Sequence, residues 1–192
     1  MKLYSSVPSP YSRKARVTAH EKGLADRIEI VTVETANPKP EFLASNPFGK
    51  IPALVTDDGA VVLESGTIAD YLDGVGAGPS LAGPDRADVA RRAAFGQAMI
   101  DAAYAMVVEG RRPAEKQMPE MIEKRKKALE RALPLCKVAA GRFDLGDIAL
   151  ACALGYMDFR LPQFDWRAVN PALAAWYEDV RKRPSMQATA PC

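Results

Sequence analysis

The sequence changes character at a glycine- and proline-rich stretch, residues 74–84, which reads GVGAGPSLAGP and has little helix or strand pattern. Before this stretch, signals for short strands and helices alternate, and after it the pattern is helical throughout. Segments of this composition commonly separate domains. The sequence therefore predicts two domains, at residues 1–76 and 87–192, joined by a linker at residues 77–86.

The N-terminal part carries the signals of a small α/β layer. An Asp58-Gly59 pair between two short apolar runs is typical of a β-hairpin. Residues 28–33 alternate apolar and polar side chains, as a half-buried strand does. We expect a strand, a helix, a strand, a short helix, two hairpin strands and a last helix, at residues 2–6, 12–22, 28–33, 40–44, 53–56, 61–63 and 65–73. This order predicts an α/β domain with a mixed sheet.

The C-terminal part has no strand signal. Apolar residues recur at helical spacing over residues 86–109, 115–138, 144–160 and 171–182, with an interruption near Pro134. The first of these segments is rich in alanine, which permits close helix packing. The pattern predicts an all-α helical bundle.

Composition limits the classes of function. The 192 residues are 48% hydrophobic and 26% charged with a net charge of +2, which argues against nucleic acid as the obvious partner. No leader pattern and no run of about 18 apolar residues is found, so we expect no membrane association. The three cysteines have no metal-ligand spacing, and their odd number suits a reducing compartment. We expect a cytoplasmic protein without a metal.

The segment Ser9-Pro10-Tyr11-Ser12 lies between the first predicted strand and the first helix. A helix N-terminus presents unpaired N–H groups and a partial positive charge, which favour a nearby anion. A serine hydroxyl there could donate a hydrogen bond to a thiolate. The alternative interpretation is that the serine only caps the helix.

Two further segments are ambiguous when taken alone. Pro52, directly before a strand, either marks the start of that strand or follows a cis Ile51–Pro52 bond, which would turn the backbone of Ile51 outward to pair with a peptide-like ligand. Ser65 would be the N-cap of the next helix. Glu64 and Ser65 together would also suit a zwitterionic amino-acid head group, with the ammonium on Glu64 and the carboxylate on Ser65.

The order of these segments resembles the glutathione transferase family. NPFGKIPAL at residues 46–54 and LESGTIADYL at residues 63–72 are similar to the glutathione-site region of that family. FDLGDIA at residues 143–149 is similar to its capping-box segment, and SPYSRK at residues 9–14 looks closest to the serine-type tau and bacterial YibF-like branches. The resemblance covers essentially the whole chain. It implies a thioredoxin-like domain followed by the helical domain.

The resemblance also implies the roles of the site residues. Ser9 takes the place of the hydroxyl that stabilises the glutathione thiolate, with Ser12 as the alternative. Because cysteine is absent from both positions, the site cannot form a mixed disulfide. Lys50, with Lys39 as a weaker candidate, falls where the family binds the glycine carboxylate of glutathione. Ile51, beside Pro52, falls where the cysteinyl backbone is bound, and Glu64 and Ser65 fall where the γ-glutamyl group is bound.

An electrophile pocket is expected between the first helix and the first long helix of the helical domain. Its candidate residues are Tyr11, Ala103, Tyr104, Val108 and Arg112, although each also suits ordinary packing or surface. The resemblance implies a homodimer that uses glutathione as co-substrate and conjugates it to a small hydrophobic electrophile. Two alternatives stay open: glutathione-dependent isomerisation, peroxide reduction or dehalogenation at the same site, and a non-catalytic binding or regulatory protein of the same fold.

Overall fold

Strands and helices alternate as far as Val75, and from Arg86 onward the chain is helical. A computed structural model describes all residues from 1 to 192. The first part contains β1 (Lys2–Ser5), α1 (Pro10–Glu21), β2 (Glu29–Thr32), α2 (Pro40–Ser45), β3 (Ala53–Val55), β4 (Val61–Leu63) and α3 (Ser65–Val75). The second part contains α4 (Arg86–Gly110), α5 (Pro119–Ala132), α6 (Leu145–Arg160), α7 (Trp166–Val169), α8 (Pro171–Val180) and α9 (Pro184–Ala188). These ends support the proposed division into domains at 1–76 and 87–192.

The four strands form one mixed sheet in the order β2-β1-β3-β4. β1 runs parallel to β2 and antiparallel to β3, and β4 is the antiparallel neighbour of β3. The predicted fold class, an α/β domain with a mixed four-stranded sheet followed by a helical bundle, is confirmed. One detail differs from the prediction: Ile30 is 49% exposed, because β2 is one of the two edge strands of the sheet.

The core of the helical part is built around α6, which is buried at every position from Leu145 to Met157. α4 lies so close to α6 that a Cβ atom at Gly96 would come within 2.8 Å of the Leu150 backbone nitrogen. Glycine is therefore required at this crossing. Val17 of α1 and Ala69 of α3 join the same hydrophobic core, so the helical part supports the helix that carries the candidate thiol site.

The N-terminus of α6 carries the predicted capping box, which the structure confirms. The Asp144 carboxylate accepts hydrogen bonds from the backbone N–H groups of Gly146 (2.9 Å) and Asp147 (3.1 Å). In return, the Asp147 side chain accepts from the Asp144 N–H (3.3 Å). Arg92 of α4 donates to both carboxylates and ties the two longest helices together.

A buried ion pair fixes the segment between α3 and α4. The ammonium of Lys22 lies 3.0 Å from the Asp73 carboxylate, and both side chains are almost fully buried. Asp73 also accepts hydrogen bonds from the Ser80 hydroxyl (2.7 Å) and the Leu81 N–H (2.8 Å). The glycine- and proline-rich linker is thus attached to the first domain through side-chain contacts that its composition does not predict.

We expect Asp73→Asn to lower the free energy of unfolding by about 2 kcal/mol at neutral pH, because it leaves the buried Lys22 ammonium without a counter-charge. Burial raises the pKa of Asp73, but the hydrogen bonds from Leu81, Ser80 and Lys22 outweigh it, and the net pKa lies below its ordinary value. The stabilisation is therefore present above about pH 4 and is lost as the pH falls through the lowered folded-state pKa. Urea denaturation at several pH values should show that the variant loses less stability at acid pH than the wild type does. An equal loss of stability at acid pH in both proteins would contradict this prediction.

Candidate functional site

Ser9 is the N-cap of α1, and Pro10 occupies the first helical position, where a missing N–H costs nothing. The Ser9 hydroxyl oxygen accepts a hydrogen bond from the Ser12 N–H at 3.2 Å. It donates to no group in the chain, so its proton is available to an anion that approaches the helix N-terminus. Capping and donation are therefore compatible, because a hydroxyl can accept through a lone pair while it donates its hydrogen.

The neighbouring serines differ from Ser9 in burial. Ser12 is fully buried and Ser5 is 1% exposed, and the hydroxyl oxygen of each is buried without a hydrogen-bond partner. Ser6 and Ser9 are half-buried. Of the two candidates for thiolate donor, Ser9 has exposed surface and Ser12 has none. The geometry favours Ser9.

The loop before β3 is shaped by Asn46, whose side chain is buried. Its amide nitrogen donates to the Lys50 carbonyl oxygen (2.6 Å), and its amide oxygen accepts from the Phe48 N–H (3.1 Å). Gly49 has φ of +63°, a conformation that favours glycine. The Ile51–Pro52 peptide bond is cis. Neither the N–H nor the C=O of Ile51 has a partner in the chain, so both are free to pair with a ligand backbone.

The two predicted lysines are exposed. Lys50 is in this loop, Lys39 is the N-cap residue of α2, and neither forms an ion pair within the chain. Each can therefore turn its ammonium toward a carboxylate without breaking an existing contact.

Glu64 and Ser65 lie at the start of α3, but their capping roles differ from the prediction. Glu64 is the N-cap and Ser65 is the first helical residue, and no side chain caps the helix. The predicted N-cap role of Ser65 is wrong, because the chain enters the helix one residue earlier, through Glu64 at φ of +65°. Such a conformation is costly for a residue with a side chain and is often retained at functional sites. The Glu64 carboxylate has no partner in the chain.

The predicted electrophile pocket is brought together only in part. Tyr11 packs edge-to-face on Tyr104, with ring centroids 5.6 Å apart, and Val108 is exposed on the same helix. Ala103 is fully buried in the helical core and has no surface to offer a substrate. Arg112, beyond the end of α4, is exposed and pairs with Glu109 at 3.2 Å. The aromatic pair therefore forms the centre of the candidate surface.

Two family models match the chain: the glutathione S-transferase N-terminal domain over residues 8–75, and the glutathione S-transferase C-terminal domain over residues 119–179. A crystal structure of a glutathione transferase family member from Pseudomonas fluorescens Pf-5, with bound glutathione, is 36% identical and has a TM-score of 0.93, covering 100% of this chain and 98% of that one. The chain belongs to the glutathione S-transferase family. This confirms the resemblance that the sequence motifs indicate.

Two other similar proteins place this glutathione S-transferase family member among bacterial relatives. A crystal structure of a glutathione S-transferase from Methylobacillus flagellatus KT, with glutathione bound, is 38% identical with a TM-score of 0.91, covering 100% of this chain and 99% of that one. The uncharacterized GST-like protein YibF of Escherichia coli K12 is 29% identical over 201 residues, covering 100% of this chain and 98% of YibF.

Three polar residues of this transferase family member were not predicted for the site: Lys14, Gln97 and Asp101. Lys14 and Gln97 line a cavity of about 620 Å³ between α3 and α4 that Glu64 also lines. Gln97 and Asp101 are one helical turn apart, within an otherwise apolar stretch of α4 that also contains Tyr104. The spacing of Gln97 and Asp101 is the sequence signal that could have identified them, but only the fold shows that they face α1.

Two of the three cysteines, Cys136 and Cys152, are poor nucleophiles in this transferase fold, and the third, Cys192, is exposed at the last position. Burial raises the pKa of the Cys136 thiol to about 11 and also raises the pKa of Cys152. His20 is exposed on α1, and no group of three or more His, Cys, Asp and Glu side chains is arranged to hold a metal ion. None of the helices combines the length and apolar character needed to cross a membrane.

Proposed function

We propose that this protein binds glutathione and activates its thiol for attack on a small hydrophobic electrophile. The observation that carries the proposal is the Ser9 hydroxyl, which lies at the N-terminus of α1 with its proton free to donate. A hydroxyl donor and a helix N-terminus both favour the thiolate over the thiol. The glutathione-bound relatives support the choice of thiol.

The remaining contacts to glutathione follow the chain order of the site. We assign the glycine carboxylate to Lys50, with Lys39 as a second cation, and the cysteinyl backbone to the unpaired amide of Ile51 beside Pro52. The γ-glutamyl carboxylate is assigned to Ser65 and the first N–H groups of α3, and its ammonium to Glu64. Each of these groups lacks a competing side-chain partner within the chain.

The proposed reaction is a nucleophilic displacement. The thiol proton leaves to solvent, and the sulfur electron pair forms a bond to the electrophilic carbon while the leaving group departs with its bonding pair. With an activated alkene, the carbon next to the new bond takes up a proton from solvent instead. This chemistry requires no metal or bound redox group.

We expect Glu64→Gly and Glu64→Ala to separate binding from stability. Both remove the carboxylate, so both should weaken glutathione binding about tenfold, the worth of a charge-assisted hydrogen bond. Only glycine accepts φ of +65° without strain, so Glu64→Gly should be about 1 kcal/mol more stable than Glu64→Ala. Calorimetric titration with glutathione and urea denaturation give the two quantities. Equal stability of the two variants would refute the strain argument, and unchanged affinity would refute the assignment of the ammonium.

Retention on immobilised glutathione, followed by a conjugation assay with a generic aryl halide, tests the proposal. We expect elution by free glutathione and a conjugation rate above the uncatalysed reaction. Absence of both retention and conjugation would contradict the enzymatic function. Retention without turnover of any electrophile would favour a non-catalytic binding protein.

A second candidate is glutathione-dependent isomerisation at the same thiolate. Maleylacetoacetate isomerase of Pseudomonas aeruginosa is 33% identical over 76 residues, covering 38% of this chain and 36% of that protein. Isomerisation would return free glutathione, whereas conjugation and dehalogenation consume the thiol. Measuring free thiol after turnover therefore separates the candidates, and consumption of hydrogen peroxide tests for peroxidase activity.

We further propose that the protein is a cytoplasmic homodimer, with the first domain of one subunit against the helices of the other. Phe48 is 74% exposed beside the glutathione loop, and burial of so large an apolar side chain would favour association. Sedimentation of the wild type and of Phe48→Ser tests this: we expect a dimer that the substitution weakens. A monomeric wild type would contradict the proposal.

A further inference from the structure

The aromatic pair Tyr11 and Tyr104 is joined by a carboxylate. The Tyr11 hydroxyl donates to Oδ1 of Asp101 at 2.8 Å, and the Gln97 side-chain amide donates to the same oxygen at 2.9 Å. Tyr104 is 44% exposed, and Asp101, three residues before it on α4, is also exposed. We call Tyr11, Tyr104 and Asp101 the aromatic-acid corner. Because Tyr11 follows Ser9 by two residues in the first turn of α1, the corner adjoins the thiol site.

The charge of the Asp101 carboxylate is not cancelled by an ion pair. Both donors contact Oδ1, and Oδ2 has no partner within the chain. Four cations lie on the elements around this region. Lys14 is buried behind Gln97 and donates to its side-chain oxygen, and Arg112, beyond the end of α4, pairs with Glu109. Arg111 and Arg160 lie near Tyr156, and neither forms an ion pair within the chain. Asp101 is the charged side chain that hydrogen-bonds to the aromatic pair, so the charge in direct contact with Tyr11 is negative.

The Tyr11 hydroxyl keeps the carboxylate in place. Burial of Tyr11, with the hydrogen bond to Asp101, raises its pKa well above the ordinary tyrosine value, so the phenol stays protonated at neutral pH. It remains a donor to Asp101 and does not itself become an anion. An aromatic face beside a fixed carboxylate is the arrangement by which proteins recognise ammonium groups, through cation–π attraction and an ion pair.

We infer that Asp101 is a specificity-determining residue, which favours electrophiles that carry a cationic group and disfavours those that carry an anionic group. The inference rests on the proposed function, because it names the class of electrophile for the thiolate at Ser9. The expected substrate is then a small hydrophobic electrophile with two parts. Its reactive part is apolar, and its other part carries an ammonium or similar cation that the aromatic-acid corner binds.

The test uses three nitro-activated aryl chlorides that differ only at the end of a short alkyl chain: trimethylammonium, hydroxyl or sulfonate. In each, the glutathione sulfur bonds to the ring carbon as chloride leaves with the bonding pair, so the rates can be divided by those of the uncatalysed reaction. We expect kcat/KM of the wild type to be highest for the ammonium compound. In Asp101→Asn, the ratio of ammonium to sulfonate rates should fall about three- to tenfold, the effect of one exposed charge on two opposite charges.

Asparagine can still accept from Tyr11, so the variant removes charge while it keeps the shape of the corner. The ammonium rate should fall and the sulfonate rate should rise, and damage to the fold cannot produce opposite changes. Asp179→Asn, which removes an exposed charge on α8 far from the corner in sequence, is the control and should leave the ratio at its wild-type value. An unchanged ratio in Asp101→Asn, with conjugation intact, overturns this inference and leaves the proposed function standing. Absence of conjugation by the wild type with all three compounds overturns the proposed function and the inference with it.

Discussion

Asp144→Ala is expected to lower the free energy of unfolding by about 2–4 kcal/mol, a large part of the stability of a typical domain. The substitution removes the N-cap of the central helix α6, leaving the N–H groups of Gly146 and Asp147 without their acceptor. It also removes the carboxylate that accepts two hydrogen bonds from Arg92, whose side chain is only 12% exposed. Arg92 keeps Asp88 and Asp147 as partners, but its nearly buried guanidinium loses two charge-assisted hydrogen bonds. Urea denaturation monitored by far-UV circular dichroism measures the loss.

Asp144→Ser separates the two contributions. Serine can still cap α6, so its loss should be about 1 kcal/mol smaller than that of Asp144→Ala. Asp179→Ala, at an exposed position on α8, should change stability by less than about 0.5 kcal/mol. If Asp144→Ala is as stable as the wild type, the capping box and its ion pair do not hold the helical bundle together.

Ser9→Ala is expected to lower kcat/KM for conjugation about 10- to 100-fold near neutral pH. A free thiol has a pKa near 8.5, and a charge-assisted hydrogen bond of about 1.5–3 kcal/mol corresponds to one or two pKa units. Without the hydroxyl, the pKa of bound glutathione should rise by that amount, and the reactive thiolate becomes correspondingly scarce. The loss should shrink as the assay pH is raised, because the thiolate then forms without help.

Two variants control for structural effects at Ser9. Ser9→Thr keeps both the hydroxyl and the cap, so it should retain most of the activity. Ser12→Ala removes a fully buried hydroxyl without a partner and should not raise the pKa of bound glutathione. If Ser12→Ala raises this pKa and Ser9→Ala does not, the thiolate donor has been assigned to the wrong serine.

Much of the fold could be predicted because its signals are local. The turn at Asp58-Gly59 indicates the β3–β4 hairpin. Asp144 and Asp147, three residues apart, form a capping box that indicates the start of α6. α7 and α9 have four and five residues, too few to show a helical period, and they were missed.

The parts of the candidate site that lie in short local motifs could be predicted, and the parts that depend on the packing of distant helices could not. Ser9, Ile51 and Glu64 each lie in a local motif that resembles the glutathione transferase family, and that resemblance implies their positions in the site. Tyr11 and Asp101 are 90 residues apart, and their contact exists only because α1 packs against α4. Ala103 lies two residues from Asp101 but is turned into the core by the rotation of the helix, which the apolar sequence of α4 does not determine.

The central claim is that Ser9 and the N-terminus of α1 stabilise the thiolate of bound glutathione. It is tested most directly by titrating the ultraviolet absorbance of the thiolate in the complex between about pH 5 and 10, with S-methylglutathione as the blank that has no thiol. We predict a bound pKa about two units below that of the free thiol in the wild type, and a value one or two units higher in Ser9→Ala. A wild-type complex whose thiol titrates near 8.5, with no change in Ser9→Ala, would contradict the claim.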